Sequence, residues 1–184
     1  GNTIEKSGEE GLLCIQHPWP SVIRTTYGNH ERCQKVYFSA FKDCYFTGDG
    51  AKRDENGMYR IIGRVDDVIN VSGHRFGTAE IEDAINQHPE VIESAVIGYP
   101  HEVKGQGIYA FVIGSDSIHE EGLETAVREI VEKMIGKIAR PDHIQIVEGL
   151  PKTRSGKIMR RILRKIVKGE ADQLGDTSTL LDPE

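Results

Sequence analysis

The chain has 184 residues, 38% hydrophobic and 28% charged, with a formal net charge of -6. That length accommodates one full core, or a small domain plus part of another. It contains no run of eighteen apolar residues and no basic-then-apolar N-terminus, so neither a helical membrane span nor secretion is indicated, and a cytoplasmic location is expected. The three cysteines, Cys14, Cys33 and Cys44, lack the two-residue spacing of zinc or redox pairs, so reduced thiols are expected.

From Gly1 to about Gly63 the pattern is one of short strands broken by turns. Leu12 to Ile15 is a compact apolar run, His17-Pro18-Trp19-Pro20 interrupts it, and Val36-Tyr37-Phe38 reads as a further strand. Asp54-Glu55-Asn56-Gly57 predicts a hairpin into Met58 to Ile62, because Asn-Gly accepts positive φ at both central positions of a type I′ turn. The apolar content is modest for an independent domain, and the segment reads as the trailing end of a larger one.

Residues Gly63 to Gly77 carry three glycines, two arginines and the pair Asp66-Asp67 inside a β-prone run of Val and Ile. Such polar chemistry exceeds what core packing asks of a strand, and the stretch reads as a seam between two pieces. Beyond it, Thr78 is placed to cap a short helix bearing Ile81, Ala84 and Ile85 on one face, with Pro89 ending it. Ile92 to Tyr99, Ile108 to Ile113 and Ile144 to Val147 predict three strands. Leu123, Val127, Ile130, Val131 and Met134 recur at helical spacing between the second and third, and a last helix begins near Ile158. The expected class is α+β, a small three-stranded sheet with packed helices.

Between Pro151 and Lys168 stand Lys152, Arg154, Lys157, Arg160, Arg161, Arg164, Lys165 and Lys168, with no acidic residue. Such a block suits nucleic acid or another phosphate-rich ligand. However, Ile158, Met159, Ile162, Leu163, Ile166 and Val167 form an apolar stripe, so the charges from Arg160 onward are read as a solvated helix face. Lys157 precedes that helix, beside Gly156. The Gly-Lys pair is not a P-loop, because Gly149 is too far upstream and Ile158 stands where Ser or Thr is required. By composition alone a loop lysine is an exposed and idle one.

Four stretches then carry a resemblance: Tyr45-Phe46-Thr47-Gly48-Asp49-Gly50, Gly63-Arg64-Val65-Asp66-Asp67, Ser72 to Glu82, and Leu150 to Arg161. Together they resemble the late motifs of AMP-forming acyl-CoA synthetases, and within that superfamily the acetyl-CoA synthetases. The ending Leu174 to Leu180 is similar as well. The resemblance implies that residues 1–66 are the β-rich remnant of a large N-terminal adenylating domain, and 67–184 a mobile C-terminal domain. The phosphate-binding loop and acyl pocket would lie upstream, and the isolated chain would be inactive.

The same resemblance implies ATP, acetate and CoA as substrates, Mg2+ as cofactor and no nucleic-acid or membrane partner. It assigns Asp49 to the ribose hydroxyls, Arg64 to the ribose and Arg75 to the nucleotide phosphates, where a carboxylate offers acceptors and a guanidinium a rigid fork. Lys157 would be the adenylation lysine and an acetylation site, served by a lysine acetyltransferase and deacetylase. Asp66 would be the hinge, and Ser72 and Gly73 would face CoA. Asn86, His88 and Val91 would offer main-chain carbonyls to Mg2+. Read without the resemblance, Asp49 is a turn aspartate, Gly73 a turn glycine, His88 a cap, and Arg64 and Arg75 surface ion-pair partners. Glu132 departs from related synthetases, which place a CoA-contacting arginine near this position. A propionyl-CoA or other short-chain acyl-CoA synthetase is the alternative within this chemistry, and a non-catalytic binding module using residues 151–168 is the alternative outside it.

Overall fold

The computed structural model describes residues 2–115 and 120–181, and the chain divides into two compact units between Asp66 and Asp67. The first unit holds β1 (Glu10–Ile15), α1 (His30–Tyr37), β2 (Tyr45–Arg53) and β3 (Tyr59–Arg64). Its strands form an antiparallel sheet in the order β1-β2-β3. Val36 and Tyr37, expected in a strand, instead end α1. Asn29 begins that helix by accepting the Arg32 amide on its side chain at 3.0 Å, and Cys33 buries its inner face. The local cap outweighs the β preference of Val and Tyr.

The hairpin expected around Asn56-Gly57 is present, but its turn is of another kind. Gly57 has φ +81 while Asn56 is not in the positive-φ region, and Gly57 N donates to Asp54 O at 3.1 Å. The Asp54 carboxylate accepts from both the Asn56 and Met58 amides, so a side chain supplies what an I′ backbone would have supplied. Among the described residues, Cys33 and Ala51 are the only buried apolar side chains of this unit, while Leu12, Phe38, Met58, Tyr59 and Ile61 are exposed.

The second unit holds β4 (Val68–Val71), β5 (His74–Gly77), α2 (Thr78–Ile85), β6 (Val91–His101), β7 (Gly105–Gly114), α3 (Glu120–Met134), β8 (His143–Ile146) and α4 (Arg160–Val167). The α+β class expected from the sequence holds. The sheet has five strands rather than three, because the 63–77 stretch contributes the hairpin β4-β5. β6 pairs along one edge of β7. The other edge is shared by β4, where Val71 faces Gly105, and by β8, which runs parallel from Tyr109↔His143 to Val112↔Ile146. Thr78 is the first helical residue of α2 rather than its cap, and Gly77 occupies the cap position.

The two faces of this sheet are covered unequally. On one, α2 and α3 bury Ile81, Ile85, Leu123, Val127 and Val131 against Val96, Ile108, Ala110 and Val112. On the other, α4 lays Leu163 on Ala95, Ile97 and Phe111. Burying a side chain of this size contributes about 1.5–3 kcal/mol, so the second unit has the core that the first lacks.

Candidate functional site

In the first unit, β2 and β3 place Asp49 directly opposite Arg64. The Arg64 guanidinium donates to Thr47 O and to the Asp66 carboxylate, each at 3.1 Å, and lies 3.5 Å from Asp49 Oδ1. Thr47 fixes the backbone beneath it by donating to Leu13 O at 3.0 Å and accepting the Asp49 amide at 3.1 Å. Gly48 has φ +79, and a Cβ there would stand 2.8 Å from Arg64 Nη2, so any larger residue would be strained and would push the guanidinium from its place across the strand. Asp49, Arg64 and Asp66 are therefore one constellation, and Thr47 and Gly48 belong to it though the sequence marked neither as functional. Nearby, burial first, and then Tyr37 and the Asp49 carboxylate, push the Tyr45 phenol up.

In the second unit, Val71↔His74 pairing leaves Ser72 and Gly73 as a two-residue loop, with φ +51 and +85. Both central residues are left-handed, which is the I′ signature. Ser72 N donates to Lys104 O at 2.9 Å, tying the tip to the neighbouring β6-β7 turn. A Cβ on Gly73 would meet nothing within 4 Å, so its glycine serves backbone conformation and leaves the tip open. Arg75 is exposed on β5 opposite Asn70, and no described residue forms an ion pair with it.

Lys157 ends a turn built on Thr153. Gly156, at φ +80, donates its amide to Thr153 O at 2.8 Å, while Thr153 Oγ1 accepts the Lys157 amide at 3.1 Å. The Thr153 amide donates to Lys157 O at 2.9 Å, and Lys152 bridges Ile158 across the base. At that base Lys152 Nζ contacts Glu93 at 2.5 Å, and one turn on Arg160 grips Glu82. The Lys157 side chain is exposed, and no described residue forms an ion pair with its ammonium.

Arg154, Lys157, Arg161 and Lys168 are exposed, as expected of a solvated face, but the cations of α4 also have partners that the helical spacing did not suggest. Arg160 is bound to Glu82, Arg164 to Asp67, and Arg161 and Lys165 to the carbonyls of residues 173–176. These partners lie far off in sequence or in an irregular segment, where helical spacing is silent.

Asn86 caps α2, and its side-chain oxygen accepts from Ser94 Oγ at 2.9 Å. His88 Nδ1 accepts the Glu90 amide at 3.2 Å, and the His88 carbonyl accepts from Val91 N at 3.0 Å. A carbonyl that accepts one hydrogen bond retains a second lone pair, so the His88 carbonyl keeps an oxygen donor of the type a hard cation takes. Among the described residues no three His, Cys, Asp or Glu side chains converge as metal ligands, and no helix is long and apolar enough to cross a membrane. Glu132 is paired with Arg140 at 2.9 Å, so the departure from the family arginine comes with a guanidinium eight residues on.

Residues 80–157 match the family described as AMP-binding enzyme C-terminal domain. The full 184 residues are 60% identical to acetyl-coenzyme A synthetase of Alcanivorax borkumensis. The chain belongs to the AMP-forming acyl-CoA synthetase superfamily. It spans about 28% of the length of that relative. Among solved structures, an anthranilate CoA ligase, AuaEII, in complex with anthranoyl-AMP matches at TM-score 0.80 and 31% identity, over 94% of this chain and 32% of that one. The acetoacetyl-CoA synthetase of Streptomyces lividans matches at TM-score 0.84 over 97% of this chain and 27% of its own, and at 23% identity it attests the fold.

Proposed function

We propose that this chain is the C-terminal part of a ligase that converts acetate, ATP and CoA to acetyl-CoA, AMP and pyrophosphate through acetyl-AMP. The observation that carries the reading is the Lys157 turn: an exposed ammonium on a loop shaped by hydrogen bonds to Thr153, in a chain 60% identical throughout to an acetyl-coenzyme A synthetase. In the first step an acetate oxygen attacks the α-phosphorus and the bond to pyrophosphate breaks. Lys157 donates to the oxygens where negative charge gathers, an effect whose loss typically costs about 3–4 kcal/mol of transition-state stabilisation.

Asp49, held by Thr47 and Arg64, accepts from the ribose hydroxyls. Arg64 adds a contact to the ribose, and Arg75, with no ion-pair partner among the described residues, serves the phosphates. In the second step the CoA sulfur attacks the acyl carbon, the bond to AMP breaks, and the thiol proton leaves to solvent. The open I′ tip at Ser72 and Gly73 leaves room beside the backbone for the pantetheine arm. Asp66, the last residue of the first unit, is the pivot that exchanges Lys157 for this tip. Residues 1–66 are then the end of the adenylating domain, whose exposed apolar side chains await the rest of it.

Mg2+ would be held by the carbonyls of Asn86, His88 and Val91, where it would add positive charge at the end of α2. Lys157, being exposed, is accessible to an acetyltransferase and a deacetylase, and acetylation removes the charge that the first step uses. The test is Lys157→Ala in a full-length enzyme carrying this chain. Acetyl-AMP formation should be lost while thioester formation from supplied acetyl-AMP largely survives. Equal loss of both half-reactions would sink the assignment.

A further inference from the structure

The C-terminal segment is laced to the backbone of the Lys157 loop. Thr153 forms an antiparallel bridge with Leu180, Arg154 N donates to Thr179 O at 3.2 Å, and Leu181 N donates to Lys152 O at 2.8 Å. Leu180 is 9% exposed although its neighbour Leu181 is 65% exposed, so one side chain is inserted as an anchor. Upstream, the Arg161 guanidinium donates to Leu174 O and to Asp176 O, and Lys165 donates to Gln173 O. Gly175 lies between the two carbonyls that Arg161 holds; its φ is +73, and a Cβ on it would stand 3.0 Å from Arg161 Nη1. The Asp176 carboxylate accepts the Ser178 amide at 2.9 Å and turns the segment back toward the loop.

These bonds do something that the loop's own bonds do not. Those made through Thr153 define the shape of the turn, but they all lie within residues 153–157 and tie it to nothing outside itself. Lys152 with Glu93 restrains one side of its base. The segment 176–181 restrains the other, and Arg161, on α4, fixes that segment to the domain. We propose that residues 174–181, clamped by Arg161 and anchored by Leu180, brace the Lys157 loop and set the position of its ammonium. Arg161 and Leu180 are positioning residues, and the inference rests on the reading of Lys157 given above. Positioning matters because a displacement of about 1 Å in a catalytic group can cost about a hundredfold in rate.

The experiment compares Arg161→Ala, Arg161→Lys and Leu180→Asp with Lys157→Ala, all in a full-length enzyme carrying this chain, with the two half-reactions assayed separately. Arg161→Ala and Leu180→Asp should each lower kcat for acetyl-AMP formation about tenfold with KM for ATP nearly unchanged. Thioester formation from supplied acetyl-AMP should stay within twofold. Arg161→Lys, which keeps a donor for one carbonyl, should recover part of the loss. Amide exchange should quicken at Arg154 and Leu181 in the two disruptive variants but not along β6. Adenylation within twofold of the parent in both, or an equal fall in both half-reactions, overturns the brace. Intact adenylation in Lys157→Ala removes instead the reading on which the brace depends.

Discussion

Arg160 holds Glu82 through both carboxylate oxygens, each 2.7 Å from Nη2, and Glu82 Oε1 also accepts the Val96 amide at 2.7 Å. One carboxylate thus joins α2, β6 and the start of α4, with side chains 11% and 18% exposed. Removing either partner leaves a charge poorly solvated, which costs about 3–5 kcal/mol when such a pair is buried. Glu82→Ala should therefore lower unfolding free energy by about 3 kcal/mol in urea titrations. Glu82→Leu combined with Arg160→Met should recover part of that loss, since it removes the unpaired charge while the Val96 amide still lacks its carboxylate acceptor. A double variant no better than the single would contradict this account.

Asp142 gives the second unit an acid-sensitive contact. Burial pushes its carboxyl up, but the hydrogen bond from Lys104, the Ile108 amide at 2.9 Å, and the charges of Lys104 and His101 outweigh burial and hold it below the usual range. A depressed carboxylate pKa stabilises the fold above the unfolded value of about 3.9, and that contribution disappears as pH falls through the lower folded value. Thermal melts between pH 6 and pH 2 should show a steeper acid limb in the parent than in Asp142→Asn. The two curves should run parallel above about pH 5.

Gly48→Ala tests the guanidinium that crosses β2. The new methyl would stand 2.8 Å from Arg64 Nη2, on a backbone at φ +79. A Cβ in this region costs about 1–2 kcal/mol before any clash. The expected result in the full-length enzyme is a rise of about tenfold in KM for ATP with acetate KM little changed. A variant with parental ATP affinity would detach Arg64 and Asp49 from the nucleotide.

At the β4-β5 tip, conformation and access separate by side-chain size. Gly73→Ala meets no neighbour and should cost about 1 kcal/mol, from the strain of φ +85 alone. Gly73→Leu should in addition block thioester formation while leaving acetyl-AMP formation intact. Normal CoA turnover in Gly73→Leu would rule out a role for the tip on the CoA path.

The hairpins show how far local signals reach. Asn56-Gly57 carries the stronger I′ signal, yet Asp54 captures two amides and leaves Gly57 as the only residue of Asp54 to Met58 with positive φ. Ser72-Gly73 carries the weaker signal but adopts the I′ form, because the Val71↔His74 pair and the Ser72 amide bond to Lys104 O hold both strands in register. Strands β6, β7 and β8 and helices α2 and α3 were legible because their apolar spacing reports burial directly. The short β4-β5 pair was not, since its run of charges and glycines resembles a loop.

By itself the sequence determined the superfamily and the α+β class, and it nominated Asp49, Arg64, Ser72, Gly73, Arg75 and Lys157 for the roles proposed above. Those are matters of residue type at fixed spacing, which a linear string records in full. Only the tertiary structure decided where the basic residues of α4 are directed. Arg160 meets a carboxylate 78 positions away and Arg164 one 97 positions away, while Arg161 spends its guanidinium on the carbonyls of the irregular segment beside the Lys157 loop. An ion pair is set by distance in space, and periodicity along the chain cannot distinguish a charge facing water from one facing a partner brought back by the fold.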